Sequence, residues 1–232
     1  MAVQDMHYDF KSKFNKLDSQ QNRNLKIPEI DWILNEAEDI YIKTIAFPRH
    51  FTHLGFEVNT RSTEDIRPIV LFNIPLPVTS ENIVEFPNDF RFFLKGRAEA
   101  SKGKCKEQTM SFTSIQIDDE ADLSLNYSSS FDWRELIGIF QKNGISLLAE
   151  DFTVDKFYLS YIQKTPYICF PEGMPGGAYT LPSGTQLNEN QSTPLENSEK
   201  EIVDIAVMLA SGQIQASDYS LKKDKLSVNQ FI

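Results

Sequence analysis

Few residues in this chain have the types and spacing that chemistry needs. His50-Phe-Thr-His53 is the one histidine pair, and at i, i+3 it offers two imidazoles to a metal. No HExxH pattern surrounds it, no cysteine is close, and the next carboxylate is Glu57, so the two side chains read as ordinary connector histidines. His7 stands alone near the N-terminus with no evident partner. Asp118, Asp119, Glu120 and Asp122 supply oxygen ligands, but the glycine and closing glutamate of an EF-hand loop are missing. A solvated hairpin tip is the reading there. Glu172-Gly-Met-Pro-Gly-Gly177 is glycine-rich, yet it lacks the Lys-Ser/Thr ending and the following helix that cradle phosphate, which leaves a turn-rich loop. Cys105 lies among Lys102, Lys104 and Lys106, which favour a thiolate, but no histidine is near in sequence to make it a nucleophile. Trp32 and Trp133 read as core or interface residues before sugar platforms. Paired carboxylates for glycoside hydrolysis stay open, because any Asp and Glu can meet in space. The residues give no catalytic, cofactor-binding or metal-ligating set, and the expectation is a protein that is not an enzyme.

Bulk composition narrows the class. The chain has 232 residues, 41% hydrophobic and 24% charged, as folded proteins do. Seventeen Phe and eight Tyr suit a β-rich core. A net charge of −10 argues against a sequence-reading nucleic-acid binder, which needs a basic face, although DNA can slide past an acidic wall that repels it. Cys105 and Cys169, far apart, read as free thiols of a reducing cytosol, with a single disulfide left open. No apolar run reaches transmembrane length, and the first residues show no basic n-region or apolar h-region. No membrane and no signal peptide are therefore expected.

The elements follow from periodicity. Residues 28–46 form the organising helix, about 28 Å long at 1.5 Å per residue. Ile30, Ile33, Leu34, Ala37, Ile40, Tyr41, Thr44 and Ile45 make its apolar stripe, and Asp31, Asn35, Glu36, Glu38, Asp39 and Lys43 fall mainly on the other side. Pro28 suits its first turn and Pro48 ends it. Residues 5–17 predict a shorter helix carrying Phe10, Phe14 and Leu17. Strands are expected at 66–72 (an edge, because of Pro68), 89–100, 111–117, 123–127 and 154–163, with a turn at Asn143-Gly144. In 89–100, strict alternation places Phe92, Leu94, Gly96, Ala98 and Ala100 on one face and Phe93, Lys95, Arg97 and Glu99 on the other. Residues 130–140 fit helix or strand equally. Ser198 and Glu201 fit a capping box before an apolar helix that stops at Ser211-Gly212.

The expected fold class is α+β: a helical bundle built from the N- and C-terminal segments, an inserted antiparallel β domain and an extended C-terminal arm. The expected divisions are 1–50 for the N-terminal helices, 51–197 for the β-rich domain, 198–212 for the C-terminal helix and 213–232 for the arm. The arm keeps apolar anchors, Tyr219, Leu221, Leu226, Val228, Phe231 and Ile232, which suit docking on another subunit better than a free tail.

Several stretches, taken in order, resemble the head-to-tail connector (ring, or tail-adaptor) proteins of crAss-like short-tailed bacteriophages. They are Tyr8-Asp-Phe-Lys with Leu17-Asp-Ser-Gln-Gln and Asn24 to Ala37; Glu64-Asp-Ile-Arg-Pro-Ile-Val70; Phe92 to Cys105; and Phe157-Tyr-Leu-Ser-Tyr-Ile-Gln163 with 177–184 and 201–207. Together they span most of the chain, and their order carries the resemblance. It implies a virion structural protein that forms a ring of about a dozen copies beneath the portal protein, linking portal to tail and extending the DNA channel. Own copies, the portal and other ring or tail proteins would be the partners. DNA would pass without specific binding, and assembly would occur in the host cytoplasm. No cofactor is implied. The alternatives are another tail-hub or baseplate component, or a tail-associated glycan-binding or hydrolytic protein.

Overall fold

The computed structural model describes residues 1–15, 25–46, 64–103, 107–115, 129–149 and 151–213, with the backbone alone for 212 and 213. The chain divides into two compact units, Met1–Pro68 with Thr165–Ile232, and Ile69–Lys164.

In the first unit, α1 spans Val3–Asn15, α2 Ile27–Ala46 and α3 Glu199–Gln213. α2 begins with a reach-back contact: the backbone N–H of Lys26 donates to Glu29 Oε2 at 2.8 Å, which satisfies a donor the helix leaves open. α3 packs against both α1 and α2. Met6, Phe10 and Phe14 of α1, Ile30, Leu34, Ala37 and Ile42 of α2, and Ile202, Val203, Ala206 and Ala210 of α3 are buried. The Phe10 and Phe14 rings stack at 5.6 Å, one turn apart. Lys13 bridges Asp9 on its own helix (2.7 Å) and Asp204 on α3 (2.9 Å).

The second unit is a curled seven-stranded mixed sheet, ordered β1-β7-β3-β4-β5-β6-β2. Its strands are β1 Val70–Leu76, β2 Ile83–Glu85, β3 Phe90–Ser101, β4 Gln108–Ile115, β5 Glu135–Gln141, β6 Gly144–Leu147 and β7 Thr153–Gln163. β1 and β2 are the edges, and Pro75 sits in β1, where a missing N–H is tolerated. One face carries an interlocked aromatic core. Phe93 meets Phe140 edge-on at 5.1 Å, and Phe112 meets Phe157 edge-on at 5.2 Å. A short pair, β8 Tyr179–Thr180 and β9 Gln186–Leu187, belongs to the first unit.

The expected α+β plan, a helical bundle carrying an inserted antiparallel β domain, is overturned. The dominant element is the curled mixed sheet, and the helices are few and short. Alternation identifies a strand without revealing its partner or direction. β4, expected to turn back through 118–122 into a hairpin, instead runs parallel to β5, with Phe112 opposite Leu136 and Ile115 opposite Ile139. A parallel pair needs a crossover in place of a tight turn. Residues 130–140, ambiguous by pattern, contribute β5. The expected strand 123–127 and the acidic tip 118–122 lie outside the described residues, as does the expected arm 213–232 apart from Gln213, which belongs to α3.

Gly144 shows how tightly the β2 edge is held. A Cβ there would fall 2.2 Å from the Val84 carbonyl oxygen. Gly144→Ala should therefore force β2 off β6 and lower stability by about 1–3 kcal/mol, read as an earlier denaturant midpoint with an unchanged far-ultraviolet helix signal. An unchanged midpoint would contradict the close approach.

Candidate functional site

α2 carries a polar row at helical spacing, Asp31, Asn35, Glu38 and Tyr41, and the row faces inward. Asp31 is 0% exposed and Glu38 is 2% exposed, although both were expected on the solvent side. Asp31 is the hub. Its Oδ1 lies 2.6 Å from His7 Nε2 on α1, and its Oδ2 accepts from Tyr179 Oη at 2.5 Å and from the Phe170 backbone N–H at 3.2 Å. A carboxylate oxygen only accepts, so Nε2 carries the proton of the first contact. One turn on, Asn35 grips both backbone groups of Ile168: its Nδ2 donates to the carbonyl at 2.8 Å and its Oδ1 accepts from the N–H at 2.9 Å. Glu38 then accepts from Thr165 at 2.6 Å and from the Thr193 hydroxyl. Tyr41 donates to Ser198 Oγ at 2.8 Å, beside the start of α3. The row thus ties the segment 165–198, which precedes α3, to α2.

Several tyrosines in this unit are shifted, each chiefly by burial. Burial is the largest cause for Tyr41 and Tyr167, both pushed up to about 12. Tyr179 is raised further, by burial first and then by its bond to the Asp31 carboxylate. Burial, followed by the Asp31 charge, also raises the Cys169 thiol, which makes it a poor nucleophile.

Histidine, aspartate, tyrosine and cysteine side by side resemble an acid–base centre. The histidine, the aspartate and the cysteine are buried, and the Tyr179 side chain is half-buried. His7 is 3%, Asp31 0% and Cys169 1% exposed, and a general base must reach the proton it takes. His7 and Tyr179 spend their donors on the Asp31 carboxylate, which in turn accepts from the Phe170 backbone N–H.

A second constellation lies in the sheet, on the face opposite the aromatic core. A cavity of about 280 Å³ is lined by Phe72, Asn73, Lys95, Gly96, Arg97 and Ser160. Gly96 forms its floor, and a Cβ there would meet Phe157 Cζ at 2.6 Å and Phe112 Cδ1 at 2.9 Å on the core side. Arg97 Cζ sits 4.5 Å from the centroid of the Tyr158 ring, whose hydroxyl donates to Glu99 at 2.9 Å.

His50, His53, Cys105 and Asp118 to Asp122 lie outside the described residues, as do Tyr219, Leu221, Leu226, Val228, Phe231 and Ile232. Trp32 and Trp133 are 58% and 81% exposed, so neither is a core residue. The 172–177 loop is turn geometry: a 3-10 turn at Pro171–Gly173, then Gly176 and Gly177 at φ 102° and 67°, with Asn190 donating to Glu172 at 2.5 Å. Cys169 is buried and free. Among the described residues, no group of three or more His, Cys, Asp or Glu is placed to hold a metal, and no helix is long and apolar enough to cross a membrane. His7, given no partner from sequence, proves to be bonded to Asp31; the spacing 31, 35, 38 was the available signal for the buried row. No protein-family model matches the chain, and no curated protein matches it.

Two outcomes follow. Tyr179→Phe removes one bond to a buried carboxylate and should cost about 1.5–3 kcal/mol, whereas Asp31→Ala leaves several donors unpaired and should cost about 3–5 kcal/mol; equal small losses in urea titrations would contradict the hub. For pH, Tyr41 and Tyr167 hold their protons in the folded state to about 12, against 10.0 for an unperturbed tyrosine. Their contribution is complete below the unperturbed value and is lost as pH rises through the folded one. Tyrosinate absorbance should therefore lag in the folded protein and appear together with unfolding at alkaline pH. Full ionisation with the fold intact would contradict this.

Proposed function

We propose that the chain is a virion structural subunit that assembles into a ring of about a dozen copies in a portal–tail connector, linking the capsid portal to the tail and extending the DNA channel. The observation that carries this reading is the ordered resemblance of the stretches beginning at Tyr8, Glu64, Phe92 and Phe157 to connector proteins of crAss-like phages. The physical features fit such a role. The buried polar row of α2 holds backbone in place and leaves no reactive group in reach of a substrate. Trp32 and Trp133 are large exposed aromatics, the residue type that anchors protein interfaces. A charge of −10 keeps DNA moving past a wall, because like charge repels the phosphates. The role needs no catalysis, no cofactor and no membrane. Its partners are further copies of the chain, the portal and neighbouring ring or tail proteins, first met in the host cytoplasm.

Electron microscopy of the purified protein, alone and mixed with the portal protein of the same genome, tests the proposal. Rings, or added density beneath the portal, are expected. Monomers that bind neither each other nor the portal would turn the reading to a tail-hub or baseplate component, and measured glycan binding would turn it to a tail-associated carbohydrate protein. Deleting 214–232, beyond the end of α3, should leave a folded subunit by circular dichroism that no longer enters the ring. Loss of the fold would place that segment in the core and contradict its role as a docking arm.

A further inference from the structure

The sheet cavity is built by an unusual register. Both neighbours of β7 bulge against the same residue, Ser160. On one side β1 passes from Leu71 opposite Tyr161 to Ile74 opposite Leu159, which sets two residues, Phe72 and Asn73, against the single Ser160. On the other side β3 passes from Phe93 opposite Tyr161 to Lys95 opposite Ser160, which leaves Leu94 as the extra residue. Asn73, within the β1 bulge, has φ 52°, a left-handed conformation that non-glycine residues adopt at a cost. Bulges re-aim side chains and gather beside binding sites. Here they surround a cavity with donors.

Ser160 is 4% exposed, and its Oγ accepts from the Asn73 backbone N–H at 3.1 Å, so its own O–H remains to be donated. Arg97 Cζ lies over the Tyr158 ring, and its Nε is buried with no hydrogen-bond partner among the described residues. Lys95 stands directly across from Ser160. No carboxylate lines the cavity, and Lys95 and Arg97 enter no ion pair among the described residues. Glu99, the next acid along this face of β3, is engaged by the Tyr158 hydroxyl and lies opposite Lys156.

We propose that this double-bulge cavity is an oxyanion site, taking a carboxylate or phosphate group between Lys95, Arg97 and the Ser160 hydroxyl. Solvated surface cations are the plainer alternative, and the orphaned Arg97 donor argues against it. A buried N–H without a partner is unfavourable, and an oxygen ligand removes that defect while the planar guanidinium presents its remaining donors as a fork. The concentration of positive charge also runs against the −10 of the whole chain. The exposed ring of Phe72 flanks the cavity and can cover the carbon skeleton that bears the anion.

The test is a nuclear magnetic resonance titration of the full chain at constant ionic strength. One arm uses inorganic phosphate; the other uses a peptide with the sequence of residues 117–122, Ile-Asp-Asp-Glu-Ala-Asp. Saturable shifts of the Asn73, Gly96 and Ser160 amides are expected in at least one arm. Lys95→Gln should weaken binding about five- to tenfold, and the Lys95→Gln/Arg97→Gln double variant should abolish it, while Lys102→Gln leaves it unchanged. Saturation by phosphate alone assigns a small-anion site; tighter binding of the peptide assigns the carboxylate of an acidic segment. Arg97→Lys keeps the charge and loses the fork, and it serves if Arg97→Gln disturbs the sheet. No saturable shift in either arm, or equal shifts in the charge-deleted variants, would overturn the proposal.

Discussion

A carboxylate removed from water constrains the helical unit. Asp31 sits at 0% exposure, and each of its oxygens is committed: one to His7 on α1, the other to the Tyr179 hydroxyl and the Phe170 N–H. Burying a charge is unfavourable unless donors replace its hydration. The partners come from separate parts of the chain, so the arrangement is stable only when α1, α2 and the segment after residue 165 are all in place. Asn35 and Glu38 extend the constraint along α2, and Tyr41 carries it to the beginning of α3. Apolar burial joins the helices, while the polar row fixes which backbone lies against them.

The sheet solves a different problem. Aromatic side chains fill its core face, and a large ring needs a small neighbour. Gly96 provides it, with Phe112 and Phe157 in the space a side chain would take. The bulge at Leu94 matters as much, since it turns Phe93 onto the core face with Ala98 and Ala100 and leaves Lys95 and Arg97 outside. Core packing and the cationic cavity on the opposite face are thus products of one register change.

The helices, the Asn143-Gly144 turn and the shared face of Lys95 and Arg97 were legible from periodicity and turn chemistry, whereas Pro68, expected to mark an edge strand over 66–72, lies in a 3-10 turn at Arg67–Ile69 ahead of β1. The architecture was not. Alternation in 108–115 marks a strand, but the parallel pairing with β5 depends on contacts distant in sequence. Phe93 was expected beside Lys95 because alternation has no marker for an inserted residue. Asp31 and Glu38 were expected in solvent because polar residues on a helix usually face water, and their partners, from His7 to Thr193, are scattered along the chain. Neither the hub nor the cavity follows a linear motif, so both come from tertiary packing.

The connector role proposed for the chain asks for a rigid subunit, and the rigidity of the helical unit rests on Asp31. Hydrogen exchange of the Asp31→Asn variant, compared with the wild type, tests this most directly. The substitution keeps shape and volume but removes the charge on which the donors converge. Protection is predicted to fall together in α1, in α2 and in the backbone of residues 168–170, as one cooperative unit. If exchange accelerates only at Phe170 and Tyr179 while α1 keeps its protection, the carboxylate is a local contact, and apolar packing alone holds the helices.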